Sequence, residues 1–338
     1  MILVTGGLGF IGSHTVCALQ EKGHQVLIVD DLSNSSVEVL DGIEAASSIR
    51  PIFIELDLQN STAVSEMFQQ HRITGIIHFA AYKAVGESVQ KPVAYYQNNL
   101  GSMLNLLAEV EKAESPIPFI FSSSCTVYGE ATELPINENA PVQPAMSPYG
   151  NTKQIGEEIL MDTVKAMDGF RVISLRYFNP IGAHPSIAIG ELPLGKPQNL
   201  VPFITQTAAG LYPKLTVFGN DYPTSDGTNV RDYIHVVDLA EAHVVALERI
   251  LESKSIEAYE VFNLGTGKGS SVLEVIQSFE RVSGQKLTYE IGARREGDVI
   301  AAYADTTKAN TVLGWKTKRS LDEAVASAWK WEQKVRNL

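Results

Sequence analysis

Ile2-Leu3-Val4-Thr5-Gly6-Gly7-Leu8-Gly9-Phe10-Ile11-Gly12 is the stretch that decides the fold. Its opening apolar run reads as a strand covered on both faces. Gly6, Gly9 and Gly12 then form a G-x-x-G-x-x-G turn into a helical pattern over 12–22. Such a turn lets backbone approach a pyrophosphate, while the helix start offers amide donors and the positive end of its dipole. A glycine-rich turn can also serve structure alone, but its place at the first strand–helix junction favours a ligand. The next strand-like run ends in Asp30, with Asp31 beside it. A carboxylate there accepts both hydroxyls of an adenosine ribose and repels a 2′-phosphate, so NAD is expected rather than NADP. Asp57, closing a third run, is either an adenine contact or a plain turn residue.

Outward from this stretch, strand-like runs recur at 2–5, 25–30, 51–57, 75–80, 119–123 and 171–177. Helical patterns lie between them, as at 61–71, 95–113 and 147–167. This alternation predicts a doubly wound parallel sheet, Rossmann-like. After Asn179 the pattern changes to a Gly- and Pro-rich stretch over 180–202, another loop over 219–228, and one further strand at 259–264 before Gly265-Thr266-Gly267. A smaller, irregular C-terminal substrate-binding region is therefore expected. The division predicted is 1–178 plus roughly 230–262 for the dinucleotide, and roughly 179–229 plus 263–338 for the substrate.

The chain has 338 residues and a formal net charge of -12. That balance repels nucleic acid and anionic membranes on average, so neither is expected as a partner. Anionic ligands must be held by local cations and backbone amides. Cys17 and Cys125 offer neither a disulfide framework nor metal-type spacing, and a reducing cytoplasm fits them. No basic region or cleavage site precedes the first strand, and no apolar run approaches ~20 residues, so neither a signal peptide nor a membrane span is expected.

Tyr149 and Lys153 stand four apart in Ser147-Pro148-Tyr149-Gly150-Asn151-Thr152-Lys153, with Ser147 as the expected N-cap and Pro148 in the first turn. They share one helix face. A phenol titrates near ~10, and a nearby ammonium and a positive nicotinamide are expected to lower that value, making Tyr149 a base for a sugar hydroxyl. Tyr-x-x-x-Lys alone is common. Here it follows Phe119-Ile120-Phe121-Ser122-Ser123-Ser124, a strand ending in hydroxyls where parallel sheets line their ligand crevice. Ser124 is expected to share the substrate hydroxyl, the alternative being a serine that caps a turn. Cys125 has no base placed for it and reads as a small buried side chain.

The chain resembles the extended short-chain dehydrogenase/reductase family and, within it, the UDP-hexose 4-epimerases. The matching stretches are VTGGLGFIGSH (4–14), HFAAYKAVGESVQKP (78–92), FSSSCTVYG (121–129), SPYGNTK (147–153), LRYFNPIGAHP (175–185), VRDYIHVVDLA (230–240) and RREGD (294–298). The glycine turn and Tyr/Lys pair mark only the superfamily; 83–92 and the AHPS stretch are more specific. The resemblance implies that Phe10, Ile11, Asn34, Ser35, Leu58, Phe79, Ala80, Lys83, Asn98, Ser122 and Phe178 join the NAD site. It implies that Asn179, Asn199 and Leu200 hold the UDP-sugar, and that Phe218, Arg231, Arg295 and Asp298 hold its uridine diphosphate. Guanidinium groups suit phosphate oxygens, although an arginine alone more often makes a surface ion pair.

The activity implied is interconversion of UDP-galactose and UDP-glucose. Tyr149 takes the C4 hydroxyl proton while hydride passes to bound NAD, the 4-keto sugar turns about its diphosphate link, and hydride returns to the other face. Dehydratases of this family carry Thr-Asp-Glu after the strand, where this chain has Ser124-Cys125-Thr126, so dehydration lacks its carboxylates. A non-catalytic NAD-binding regulator is the other class, and the presence of Ser124, Tyr149 and Lys153 argues against it. In the epimerases a tyrosine four residues after the aspartate of RREGD crowds the sugar's 2-position. Here that place is Ala302, so the N-acetylated pair, UDP-GlcNAc and UDP-GalNAc, is also expected to fit. The resemblance further implies a homodimer through paired helices.

Overall fold

The computed structural model describes residues 1–295 and 298–338; Glu296 and Gly297 of the 294–298 stretch lie outside the described residues. Seven strands form one sheet: β1 (Ile2–Thr5), β2 (Val26–Asp30), β3 (Ile52–Glu55), β4 (Gly75–His78), β5 (Phe119–Ser124), β6 (Val172–Tyr177) and β7 (Tyr259–Leu264). Their order is β7-β6-β5-β4-β1-β2-β3, all parallel. The chain winds one way from β1 through β2 to β3, and the other way from β4 through β5 to β6. Between β1 and β4 the direction of winding switches, and the loops leaving their carboxyl ends part to leave a crevice.

The continuous apolar runs follow from cover on both faces. Along β1, Ile2 and Val4 enter one core and Leu3 the other, as a period of two requires. Helices α1 (Phe10–Glu21) and α4 (Val236–Leu251) pack together over the first face. Helices α2 (Pro92–Lys112) and α3 (Pro148–Ala166) pack together over the second. Leu3, Val4, Leu27, Ile28 and Val29 are fully buried, and each contributes roughly 1.5–3 kcal/mol through lost water contact.

Element ends differ from the sequence reading in ways that position explains. The run 51–57 is a strand only over Ile52–Glu55 and is largely solvent-facing, because β3 is the sheet's edge. β4 stops at His78, where Phe79 and Ala80 turn back to donate to the Thr5 carbonyl and hydroxyl. β5 runs on through Ser124, which pairs with Tyr177. α2 starts at Pro92, a residue that fits a first helical turn because it lacks the amide hydrogen left unused there.

Beyond β6 lie three small sheets. Asn179–Ile181 pairs with Tyr233–His235, Val230–Arg231 lies between Ser270–Ser271 and Ala301–Ala302, and Leu215–Phe218 pairs with Tyr289–Gly292. A separate core of Ile181, Val201, Ile204, Phe279, Val325 and Trp329 among others sits beneath them. Asp232 ties these sheets to the end of β7. Its buried carboxylate accepts from Thr266 N–H and O–H, Gly267 N–H and Ala304 N–H.

Candidate active site

The glycine turn is a close-packed cradle. Gly6 has φ +66, and a β-carbon there would meet the Ala80 nitrogen at 2.8 Å. A β-carbon on Gly12 would meet the Gly6 carbonyl oxygen at 2.3 Å. Gly9 precedes α1, and among the described residues no side chain caps its first turn. The amides at Phe10 and Ile11 are therefore available to an anion. At the tip of β2, Asp30 accepts from Leu8 N–H (3.1 Å), Leu32 N–H (3.1 Å) and Ser35 O–H (2.7 Å). Burial pushes its carboxyl up while these donors pull it down.

Asp31 binds Ser33, and Asn34 is exposed beside it. Asp57 is exposed and closes a turn with Gln59. The Leu58 side chain lies in the second core, with its carbonyl taken by the Asn105 amide. Phe79 and Ala80 are half-buried at the end of β4, and Lys83 is exposed beyond them. Asn98 is buried on α2, donating to Asn99 and accepting from Gln59 at 3.4 Å. These groups suit NAD: the Asp30–Ser35 segment carries a carboxylate for ribose hydroxyls and no cation for a 2′-phosphate.

Ser147 caps α3 by accepting from Gly150 N–H at 3.1 Å, and Pro148 opens the helix. Tyr149 and Lys153 thereby face the carboxyl end of β5. Lys153 is 4 % exposed, and its ammonium donates to the Ser122 carbonyl at 2.6 Å. It lies 4.9 Å from the Phe121 ring centroid and 6.0 Å from that of Tyr149. Burial lowers the Lys153 pKa to about 8, with Glu157 opposing the fall.

The expected lowering of the Tyr149 pKa does not arise among the protein groups. Burial pushes the phenol up to about 12, against a smaller opposing pull from Ser124. Lys153 does not offset this burial, because its short hydrogen bond goes to the Ser122 carbonyl and not to the phenol. Cys125 is half-buried as a residue, but its thiol is enclosed, and burial pushes it up to about 11, so it stays protonated. Ser124 turns the chain after β5, accepting from Thr126 N–H at 3.2 Å. Phe178 is buried against Val127, Tyr128, Ile136 and Ala304, in the same cluster as Cys125 and Ala302.

The small sheets gather several of the expected nucleotide residues. Arg231 donates to the Val230 and Val299 carbonyls and lies 3.6 Å from Asp298. Asp298 also accepts from Arg295 at 2.7 Å, and the Arg295 guanidinium lies 5.8 Å from the Phe218 ring centroid. Asn179 starts a strand and donates its backbone N–H to the Asp232 carbonyl. Asn199 opens the helix Leu200–Ala208 while its amide donates to Glu191 at 2.8 Å. Ala302 is half-buried and lines a cavity of about 200 Å³ with Cys125, Gly129, Leu134 and Val299. The Tyr303 ring packs instead towards Gly269.

Two groups near the site escape a reading of the sequence. Tyr177 is buried and shares a short hydrogen bond with the Ser122 hydroxyl. Glu157, one turn beyond Lys153, is 4 % exposed and pairs with Arg176. Its spacing of four from Lys153 was the available signal.

Fold and site together define a dinucleotide-binding α/β protein of the short-chain dehydrogenase/reductase class. A family model described as GDP-mannose 4,6 dehydratase matches residues 3–328. A UDP-glucose 4-epimerase of Bacillus subtilis is 50 % identical, covering 98 % of this chain and 96 % of its own. The chain is similar to a solved UDP-glucose 4-epimerase from Stenotrophomonas maltophila with bound NAD and formylated UDP-arabinopyranose. That likeness has TM-score 0.95 and 44 % identity over 99 % and 98 % of the two chains. Another, from Bifidobacterium longum in complex with NAD+ and UDP, gives TM-score 0.94 and 45 % identity over 99 % of each. The chain belongs to the UDP-glucose 4-epimerase family of the extended short-chain dehydrogenases/reductases.

Proposed function

We propose that this chain interconverts UDP-galactose and UDP-glucose while keeping NAD bound. The observation that carries the reading is the Tyr149/Lys153 pair facing the serine end of β5, beside the glycine cradle. Bound NAD supplies the hydride acceptor and, later, its donor. Tyr149 takes the C4 hydroxyl proton and returns it to the other epimer. Burial resists this ionisation, so the Lys153 ammonium is needed close by as compensating charge. Ser124 shares the reacting hydroxyl. Arg231 and Arg295 hold the diphosphate while the 4-keto sugar turns, so binding energy from a remote group orients the reacting carbon.

Cys125 and Thr126 support epimerisation over dehydration. The thiol stays protonated, and neither side chain is a carboxylate. The cavity beside Ala302 supports acceptance of the N-acetylated pair. The division into 1–178 with roughly 230–262, and roughly 179–229 with 263–338, is supported by α4 and β7, which pack with the large sheet. Assembly as a homodimer is supported by Val93 and Leu104, exposed apolar residues of α2. No described helix is long and apolar enough to cross a membrane. The free thiols of Cys17 and Cys125 fit a reducing, cytoplasmic setting.

The test is proton NMR of the purified protein with UDP-galactose and no added cofactor. Growth of the UDP-glucose anomeric signal supports both the reaction and retained NAD. Silence that persists after NAD is added overturns the reading.

A further inference from the structure

A buried ion pair stands directly behind the reacting residues. The Glu157 carboxylate accepts from Arg176 Nε at 2.9 Å and Nη2 at 2.5 Å, and from the Ser123 hydroxyl at 2.5 Å. Glu157, Arg176 and Ser123 are 4 %, 6 % and 0 % exposed. Ser123 sits between Ser122, whose carbonyl holds the Lys153 ammonium, and Ser124 at the phenol's side. One carboxylate thus ties the helix bearing Tyr149 and Lys153 to the middle of the serine run and to its neighbour strand, where Ser123 and Arg176 are in register. Arg176 in turn lies 4.8 Å from the Tyr128 ring centroid, and Tyr128 donates to Asn263 on β7 at 2.7 Å.

The charges make the arrangement more than a brace. Lys153 and Arg176 are both buried cations, and among the described residues Glu157 is the carboxylate that acts on both. Facing Glu157 are Lys153 from its own helix, Ser123 from β5, Arg176 from β6 and the Tyr259 phenol from β7. Facing Lys153 are Tyr149, Glu157 and, from β4, His78, which burial keeps neutral. Without the carboxylate, Arg176 would be an uncompensated buried charge behind the site, and Lys153 would lose its only ionic support among these groups.

We propose that Glu157 is a positioning residue for the proton transfer: clamped by Ser123 and Arg176, it fixes the serine strand against the helix that carries Tyr149 and Lys153. Among the described residues, no hydrogen bond or ion pair joins Glu157 to the glycine cradle or the proposed diphosphate end. Its removal acts on the chemical step and leaves UDP-sugar binding in place. The inference rests on the epimerase reading, and activity of the parent protein separates the two.

The experiment compares the parent, Glu157→Gln and the charge-balanced Glu157→Gln/Arg176→Met. Each is followed by kcat and KM on UDP-galactose from about pH 6 to about pH 10, with folding checked by thermal melting. Glu157→Gln is expected to lower kcat about tenfold or more with KM little changed. Its alkaline limb is expected to move to lower pH, because Lys153 loses the neighbour that holds its proton. The double variant is expected to regain the parent's melting temperature but only part of the alkaline limb. If Glu157→Gln does not fold, a displaced limb in the double variant supports the proposal. Superimposed pH profiles in either folded variant, or full recovery of kcat and limb in the double variant, overturn it. An inactive parent would overturn the epimerase reading instead.

Discussion

The cofactor end and the proposed diphosphate end of this molecule are built by opposite means. The first is one continuous stretch: β1, the glycine turn and α1 deliver the cradle within residues 2–21, and β2 adds Asp30. The second is assembled from Phe218, Arg231, Arg295, Asp298 and Ala302, drawn from three separate small-strand segments and an irregular stretch. A continuous site is stiff because its shape is also the packing of the sheet. An assembled one depends on a few polar ties, such as those of Asp232 and Asp298.

The largest expected effect tests the stiffness of the first. In Gly12→Ala the new methyl meets the Gly6 carbonyl at 2.3 Å and the Gly7 Cα at 2.8 Å. Backbone must move, at a cost on the order of 1–3 kcal/mol or more. The same displacement opens the pyrophosphate cradle. The variant should melt earlier and carry no nucleotide, read as the cofactor released on acid denaturation. Full NAD occupancy in Gly12→Ala would show that the cradle tolerates the shift and would erase the contrast.

Acid should act on both regions, since burial also lowers the pKa of His235, in a small sheet, to about 4. His14, His78 and His243 are buried around the large sheet with pKa values lowered to about 3, about 3 and about 4, chiefly by burial. In the unfolded chain they titrate near ~6.5. The sign follows: the stability is whole above pH ~6.5 and falls as the pH drops towards the folded values, because the unfolded state gains protons first. At pH 5 each contributes at most about 2 kcal/mol of loss, a sizeable share of a typical total of ~5–15 kcal/mol. The melting temperature should fall steeply between pH 6.5 and pH 5. A flat melting profile over that range would mean that the histidines are solvated or charged in the fold.

At the assembled end, Arg231→Met removes a guanidinium that two backbone carbonyls and Asp298 hold in place. NAD retention should be unchanged. KM for UDP-galactose should rise roughly tenfold to a hundredfold with kcat nearly kept, the pattern of lost uniform binding. A fall in kcat at constant KM would place Arg231 in the chemical step instead.

The same contrast explains what the sequence revealed. β1, α1 and the capped Ser147-Pro148 start of α3 are local patterns written in adjacent residues. The ends of β3 and β4 shifted because edge position and the turn after His78 are tertiary facts. The Tyr149 environment differs from its spacing for a related reason. Spacing put Lys153 on the right helix face, but only the fold shows its ammonium hydrogen-bonded to the Ser122 carbonyl. Glu157 lay in plain view four residues on, yet its partners Ser123 and Arg176 come from other strands.

The smallest expected effect concerns substrate choice, and it turns on one methyl group. Ala302 and Tyr303 sit on a short extended segment, so their side chains take opposite faces. Ala302 borders the cavity with Cys125 and Gly129, while Tyr303 packs towards Gly269. Ala302→Tyr would fill the side that Ala302 leaves open. The N-acetylated sugars should then lose activity by about tenfold to a hundredfold, the scale on which a pocket rejects one added group. The plain hexoses should keep theirs, because the uridine end and Tyr149 are untouched. Measured as kcat/KM on both pairs, equal loss would mean that the tyrosine disturbs the pairing of Ala302 with Arg231. A selective loss would show that a site assembled from scattered pieces can change its substrate through one residue while the continuous cofactor cradle stays as it is.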